Sequence, residues 1–266
     1  MNLNTEAEKQ NTYDAIVIGS GISGGWAAKE LTEKGLKVLM LERGKNIEHI
    51  KDYTTATLAP WQLKHRNNLT EEERKTHPVQ SRDYPYQEAN ETWWVNDLEC
   101  PYTEIKPFDW FRGYHVGGRS LMWGRQSYRF SDINFSDNLK DGHGEDWPVR
   151  YKEIAPWYDY AETFAGVNGQ AENWPTLPDG KFLPPMELNM IEKSVKQRVE
   201  DHYKRSRIIT IGRSANLTQG RNVRRRGQER DRFGRGCPFG GYFSTEAGAL
   251  PSAVKTSFCG TESSTT

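Results

Sequence analysis

Three glycines and one acid carry the clearest chemical signal in the chain. Gly19-Ser20-Gly21-Ile22-Ser23-Gly24 has the G-x-G-x-x-G spacing. In that motif the first glycine permits a tight turn, the second lets a pyrophosphate approach the backbone, and the third lets a helix pack closely on a strand. Glu42 closes the next apolar run. A carboxylate there accepts hydrogen bonds from both hydroxyls of an adenosine ribose and repels a 2′-phosphate. The implied chemistry is recognition of NAD or FAD, with NADP disfavoured.

The elements that must hold these groups are legible around them. Ala15-Ile16-Val17-Ile18 is a short β-branched run of the kind that forms a buried parallel strand. From Ser23 the pattern is helical, with Ala27, Ala28 and Leu31 on one face, Lys29, Glu30 and Glu33 elsewhere, and Gly35 placed to stop it. The helix's amino end faces the phosphate position, where its dipole favours an exposed anion by ~0.3–1 kcal/mol. Leu36 to Leu41 then reads as the second strand. A lone glycine motif is weak, but strand, glycines, helix, strand and acid in this order describe a βαβ nucleotide-binding unit of an α/β, Rossmann-like fold.

A second glycine cluster lies far downstream. Gly113, Gly117, Gly118 and Gly124 fall within Arg112 to Phe130, more glycine than a helix or strand carries, as expected of backbone running close against something flat. Val116 to Ser120 can turn into a helix amino end and offer N–H groups to a second phosphate or a flavin ring. A glycine-rich loop packed on protein fits the same residues.

Composition narrows the function classes. Lys plus Arg and Asp plus Glu are equal at 36 each, so no overall field draws the chain to nucleic acid or to an anionic membrane. No segment approaches ~20 apolar residues, so no membrane span is expected. The first residues, MNLNTEAEKQNT, form no secretory signal. The cytoplasm is the simplest compartment, although export on a partner subunit's signal would leave the same sequence. Cys100, Cys237 and Cys259 read as free thiols without metal-ligand spacing. The apolar fraction is low at 35% while aromatics reach 12%, so much of the core should be aromatic.

Along the chain, Thr70 and Glu73 form a capping-box pattern opening EEERK. His49, His65 and His77 lie on polar ground and are assigned no chemistry. Trp93-Trp94-Val95 fits an edge strand. Ile154, Trp157, Tyr158, Ala161 and Phe164 recur at helical spacing and read as core, with Pro156 splitting their helix in two. Met186 to Tyr203 reads as an amphipathic helix leading to a strand at Arg207 to Ile211. Arg221, Arg224, Arg225, Arg226, Arg230, Arg232 and Arg235 make one basic cluster. A solvated loop or a subunit edge explains it better than nucleic acid, because no aromatics interleave to stack bases.

YDAIVIGSGISGG with LERG, and then RGYHVGGRSLMWGRQSYRF, resemble the glucose-methanol-choline oxidoreductase family of flavoproteins. DWPVRYKEIAPWYDYAE and RGCPFGGYFSTEAGALPSA are similar to its bacterial sugar and sugar-acid dehydrogenase branch. The resemblance extends to about Lys255 and implies FAD. It also implies hydride transfer from a CH–OH group of a sugar, glycoside or sugar acid to flavin N5, with a small partner subunit or an electron-carrier protein as acceptor. It places Gly19, Gly21 and Gly24 at the pyrophosphate and Glu42 at the adenosine ribose, with Ser20, Ser23 and Arg43 among the cofactor-binding residues. It places Gly117, Gly118, Ser120, Met122, Trp123 and Gly124 along the flavin. In the related pyranose oxidases a histidine at the place of Met122 bonds covalently to the flavin. A thioether cannot, so noncovalent FAD is expected. The cysteines that the branch often carries before RGCPFGGYF are reduced to Cys237, so no iron–sulfur ligand set is expected.

The family's catalytic histidine, paired with a histidine or asparagine, lies near its carboxyl end, and no histidine follows His202 here. No catalytic residue is therefore named. The chain reads as the amino-terminal part of a longer enzyme, cut or frame-shifted near Thr256, with the carboxyl-terminal half missing. The expected divisions are 1–84 for the FAD-binding βαβ core and connection, 85–150 for a flavin-contacting loop region, 151–255 for helices and the start of a substrate domain, and 256–266 for a disordered tail. The competing reading is an FAD-binding module without turnover. A weaker third is an NAD-dependent reductase.

Overall fold

The computed structural model describes residues 12–220, 224, 233–255 and 259–263. These fall into two compact units. One comprises Met1–Gly124, Glu229–Gly240 and Ser244–Thr266, and the other comprises Arg125–Gln228 and Gly241–Phe243. The division falls after Gly124, not after residues 84 and 150.

The first unit begins with strand β1, Ala15–Ile18, helix α1, Ile22–Glu33, and strand β2, Val38–Glu42. β1 and β2 pair in parallel, with Ala15 opposite Val38 and Ile18 opposite Leu41. This is the expected βαβ unit. Gly35, at φ +85°, ends α1 by donating its N–H to the Thr32 carbonyl (2.9 Å), a conformation that glycine adopts without a side-chain penalty. Val17, Ala28, Val38, Met40, Val116, Leu250 and Ala253 pack into one apolar cluster. Lys29, expected outside, is 2% exposed. It tolerates burial because Glu30 and Glu33 each lie 2.8 Å from its ammonium.

Between β2 and the second glycine cluster the chain forms short helical turns. Helix α2, Glu71–Thr76, opens with the expected reciprocal cap, the Glu73 N–H reaching Thr70 Oγ1 at 3.2 Å and the Thr70 N–H reaching the Glu73 carboxylate. Glu88–Trp93 is a 3-10 turn, where an edge strand had been expected from Trp93. The turn lets Trp93 and Trp94 face inward together. They join Tyr53, Tyr86, Ile47, Ala56, Leu121 and Met122 in a second, largely aromatic cluster.

The second unit holds helices α3, Asp132–Asp141, α4, Tyr151–Ala165, and α5, Met190–His202. α4 runs unbroken through Pro156, so the expected split is absent. Pro156, the sixth residue of the helix, forfeits one ladder bond, and the helix continues past it. Nor does the aromatic stripe supply the buried side, since Trp157 is 68% exposed. Glu162 and Ala165 are buried instead. Glu162 is drawn inward by Arg129, whose Nε lies 2.9 Å from Glu162 Oε1 and whose Nη2 lies 2.6 Å from Glu162 Oε2 and 2.5 Å from Asp159. These acceptors outweigh desolvation and hold the guanidinium charged. Arg207 to Ile211, expected as a strand, lies in no named strand. Instead Lys196 Nζ on α5 donates to the Ile209 carbonyl (2.5 Å).

Helix α6, Ala249–Lys255, returns to the first unit and packs on α1. Cys259–Ser263, expected to stay unordered, forms strand β3, parallel to β2, with Val38 opposite Cys259 and Glu42 opposite Ser263. The sheet order is β1-β2-β3. The small polar composition of this segment misled because the pairing uses backbone groups at β2's second edge. Of the arginine cluster, Arg224 and Arg235 are buried at 9% and 7% exposure. Arg224 donates to the Ala165 carbonyl (3.0 Å) and Arg235 to that of Thr55 (2.8 Å). The cluster's other arginines lie outside the described residues.

Removing one carboxylate from a buried guanidinium leaves charge uncompensated. Glu162→Ala should therefore lower the stability of the second unit by about 3 kcal/mol, measured as a reduced midpoint of urea unfolding with unchanged slope.

Candidate functional site

The Gly19 to Gly24 turn leaves β1 as the motif predicts, and each glycine has a distinct environment. Gly19 has φ +90° and donates its N–H to the Leu41 carbonyl (2.7 Å). A Cβ on Gly24 would lie 1.8 Å from the Gly19 carbonyl oxygen, whereas one on Gly21 would meet nothing within 4 Å. Gly24 therefore closes the turn on itself, and Gly21 leaves a bare stretch of backbone facing open space. Gly21 is the N-cap of α1, and the helix ladder begins with Gly25 N–H to Gly21 O (2.8 Å). The N–H groups of the first turn, including that of exposed Ser23, precede the ladder and form an anion-binding end.

Glu42, the last residue of β2, holds the turn from the side. Its Oε2 accepts from Ser20 N–H (2.8 Å) and Ser20 Oγ–H (2.5 Å), and its Oε1 accepts from Gly44 N–H (2.9 Å). The carboxylate thus stands where the sequence placed it, with its donors drawn from the protein. Arg43 stacks its guanidinium 3.8 Å from the centroid of Tyr114.

The second glycine cluster meets the first. Lys45 N–H reaches the Tyr114 carbonyl (3.3 Å) and Val116 N–H reaches the Lys45 carbonyl (2.9 Å), which leads the backbone into Gly117 and the 3-10 turn Gly118–Leu121. Gly44 makes this possible, because a Cβ there would lie 2.2 Å from His115 N. Gly117 (φ +85°) donates its N–H to Ser20 Oγ (3.0 Å). A Cβ on Gly118 would sit 3.3 Å from Gly21 Cα. Ser120 Oγ and Thr245 Oγ1 are 2.7 Å apart, and Thr245 Oγ1 also donates toward the Ser20 carbonyl (3.2 Å). Gly44 and Thr245 were missed in the sequence. The glycine after the acid was a readable signal for the first, while Thr245 carries none apart from its place in the RGCPFGGYFSTEAGALPSA stretch.

The remaining expected residues spread out. Met122 is 6% exposed and packs in the aromatic cluster, with its sulfur against Gly113. Trp123 is partly buried and Gly124 exposed at the end of the first unit. Beside the second turn, His115 is 1% exposed with its Nδ1 3.1 Å from the Val116 carbonyl. Burial pushes this imidazole down, so it stays neutral.

Fold and turns together define an α/β protein of the Rossmann-like dinucleotide-binding class. No family model matches the chain, but curated relatives do. Gluconate 2-dehydrogenase flavoprotein of Pantoea cypripedii is 28% identical over 63% of this chain and 27% of its own length. Oxygen-dependent choline dehydrogenase of Xanthomonas euvesicatoria pv. vesicatoria is 30% identical over 58% and 24%. Fructose dehydrogenase large subunit of Gluconobacter japonicus is 26% identical over 65% and 29%. These relatives are glucose-methanol-choline oxidoreductases, the family that this chain's motifs resemble. The chain spans less than a third of the length of these relatives. Among the described residues no helix is long and apolar enough to cross a membrane.

The contrast between two glycines tests the turn without any ligand. Gly21→Ala should leave stability within about 0.5 kcal/mol of the parent, because its methyl enters open space. Gly24→Ala should lower it by several times that amount, read as the shift of the thermal unfolding midpoint.

Proposed function

We propose that the chain forms the FAD-binding part of an oxidoreductase acting on a CH–OH group of a sugar, glycoside or sugar acid. The observation that carries this reading is the meeting of two glycine turns, Gly118 against Gly21, beside a carboxylate and a bare helix amino end. Gly19, Gly21, Gly24 and the first amides of α1 take the pyrophosphate, and Glu42 with Ser20 takes the adenosine ribose. Gly117, Gly118 and Ser120 present backbone and hydroxyl to the flavin end, with Trp123 and Gly124 beyond. FAD, when bound, supplies the electron sink for a hydride leaving the substrate carbon. The protein's part in this region is to bind, orient and exclude water. The name of the gluconate dehydrogenase relative supports a sugar-acid donor, and that of the fructose dehydrogenase large subunit supports a smaller partner subunit.

A second reading, an FAD-binding module without turnover, is favoured by the make-up of the site. Glu42 is engaged by three donors, and His115 is buried at 1% exposure with its Nδ1 against the Val116 carbonyl. Neither is a base for an alcohol proton.

Titrating the purified chain with FAD should quench flavin fluorescence to saturation, and Gly21→Ala should weaken the affinity about tenfold or more while the fold survives. Acid precipitation should leave the yellow colour in the supernatant, since Met122 cannot form a histidyl bond. Gluconate, glucose or a glycoside with an artificial acceptor then separates the two readings, bleaching for the enzyme and an unchanged spectrum for the module. If FAD neither binds nor protects the chain from heat, both readings fall.

A further inference from the structure

We infer that Glu246, acting through a cluster with Tyr53 and His49, is a positioning residue for the second glycine turn and makes dinucleotide affinity depend on the charge of His49. The affinity half of this inference rests on the flavin reading above, and the positioning half does not.

Glu246 follows Thr245, which is hydrogen-bonded to Ser120 and to the carbonyls of Ser20 and Gly117. Its own Cβ packs on the turn, 3.4 Å from where a Cβ on Gly117 would stand. Its side chain is 7% exposed. A carboxylate so placed needs compensation, and the partners that supply it tie the 245–246 backbone, and the turn with it, to the segment after β2. Two side chains from the segment after β2 supply it. Tyr53 donates its hydroxyl to Glu246 Oε2. His49 Nδ1 lies 3.1 Å from the Tyr53 oxygen and 3.6 Å from Glu246 Oε2. Because the phenolic proton is spent on Glu246, the Tyr53 oxygen can only accept, so His49 presents Nδ1–H. The two rings meet edge to face at 5.2 Å, which fixes the imidazole's orientation.

His49 can exchange protons with solvent. It lines a cavity of about 420 Å³ with Ile47, Glu48, Glu246, Leu250, Pro251 and Val254. The charges on its own segment are committed elsewhere: Glu48 to Lys51 (2.8 Å), and Asp52 to the Glu48 N–H (2.7 Å). From the other elements Glu246 faces it, together with the Pro238 carbonyl. Bonding to Glu246 raises the imidazole above its ordinary range against the opposing pull of burial, and the carbonyl adds to the rise. The folded value thus exceeds the unfolded one. The ion pair's contribution is fully present below the unfolded value, ~6.5, and is lost as pH rises through the folded value.

Two readouts test this on the whole chain. Without flavin and at one pH, amide hydrogen exchange across Gly117–Leu121 should run about tenfold faster in Glu246→Gln. That variant keeps an acceptor for Tyr53 and removes the charge. With FAD, wild-type affinity should fall as pH rises from about 6 to about 9. His49→Gln, altered at a partly exposed side chain that leaves the fold intact, should bind with a flat profile. Unchanged exchange in Glu246→Gln overturns the positioning role. A flat wild-type profile, or a wild-type slope kept in His49→Gln, overturns the coupling. Faster exchange in a chain that binds no FAD at any pH supports the positioning role and overturns the flavin reading instead.

Discussion

The hydroxyl of Ser20 joins two stretches of chain that lie 97 residues apart, and the site exists because of that joint. Ser20 is 1% exposed. It donates to Glu42 at the end of β2 and accepts from the Gly117 N–H of the second turn. A buried hydroxyl with both roles filled carries no desolvation debt, and bonds in such a chain polarise one another. Nothing but missing side chains lets the backbones come this close. Gly24 admits the Gly19 carbonyl, Gly44 admits the His115 backbone, and Gly118 admits Gly21. Steric permission comes from glycine, and the hydrogen bonds then select one arrangement out of the many that glycine allows.

In each unit several charged side chains are buried beside counter-charges. In the first, Lys29 lies between two glutamates, and Gln80 and Arg112 both share Asp97. In the second, Arg129 holds Asp159 and Glu162, while Arg213 pairs with Asp179 at 2.7 Å and lies 4.5 Å from the Phe182 ring centroid. Such pairs add little net stability over an apolar core, but they penalise any packing that separates them. That penalty specifies loops which have little regular secondary structure to specify them.

The βαβ unit was legible in the chain because each of its features answers a local requirement. β-branched residues build strands, a positive φ selects glycine, and an acid ends the strand that must face a ribose. The capping box at Thr70 was legible for the same reason. What escaped was decided by partners distant in sequence. Lys29 and Glu162 are polar residues buried by their counter-charges, which no periodicity displays. Trp93 turned into an aromatic cluster instead of a strand. Cys259–Ser263 became a strand because β2 offered an edge, not because its residues favour one. His49 looked solvated until Glu246, from a segment nearly two hundred residues away, appeared beside it. Met122 followed the family position in sequence, yet packing placed it among Tyr53, Trp93 and Trp94.

In the proposed reading Glu42 both holds its own turn and takes a ribose, and its geometry allows both. A carboxylate has about four lone-pair sites, and three donors reach it here. Two of those donors are backbone N–H groups of Ser20 and Gly44, which cannot leave without moving the chain. The third is the Ser20 hydroxyl, which rotates freely about its Cβ–Oγ bond. A ribose hydroxyl that displaced it would cost one hydrogen bond and gain another at the same oxygen. Rotating the Ser20 proton away turns the lone pairs with it, while the oxygen itself stays within reach of the Gly117 N–H. Ligand exchange at Glu42 and the hold on the second glycine turn are therefore coupled through one hydroxyl.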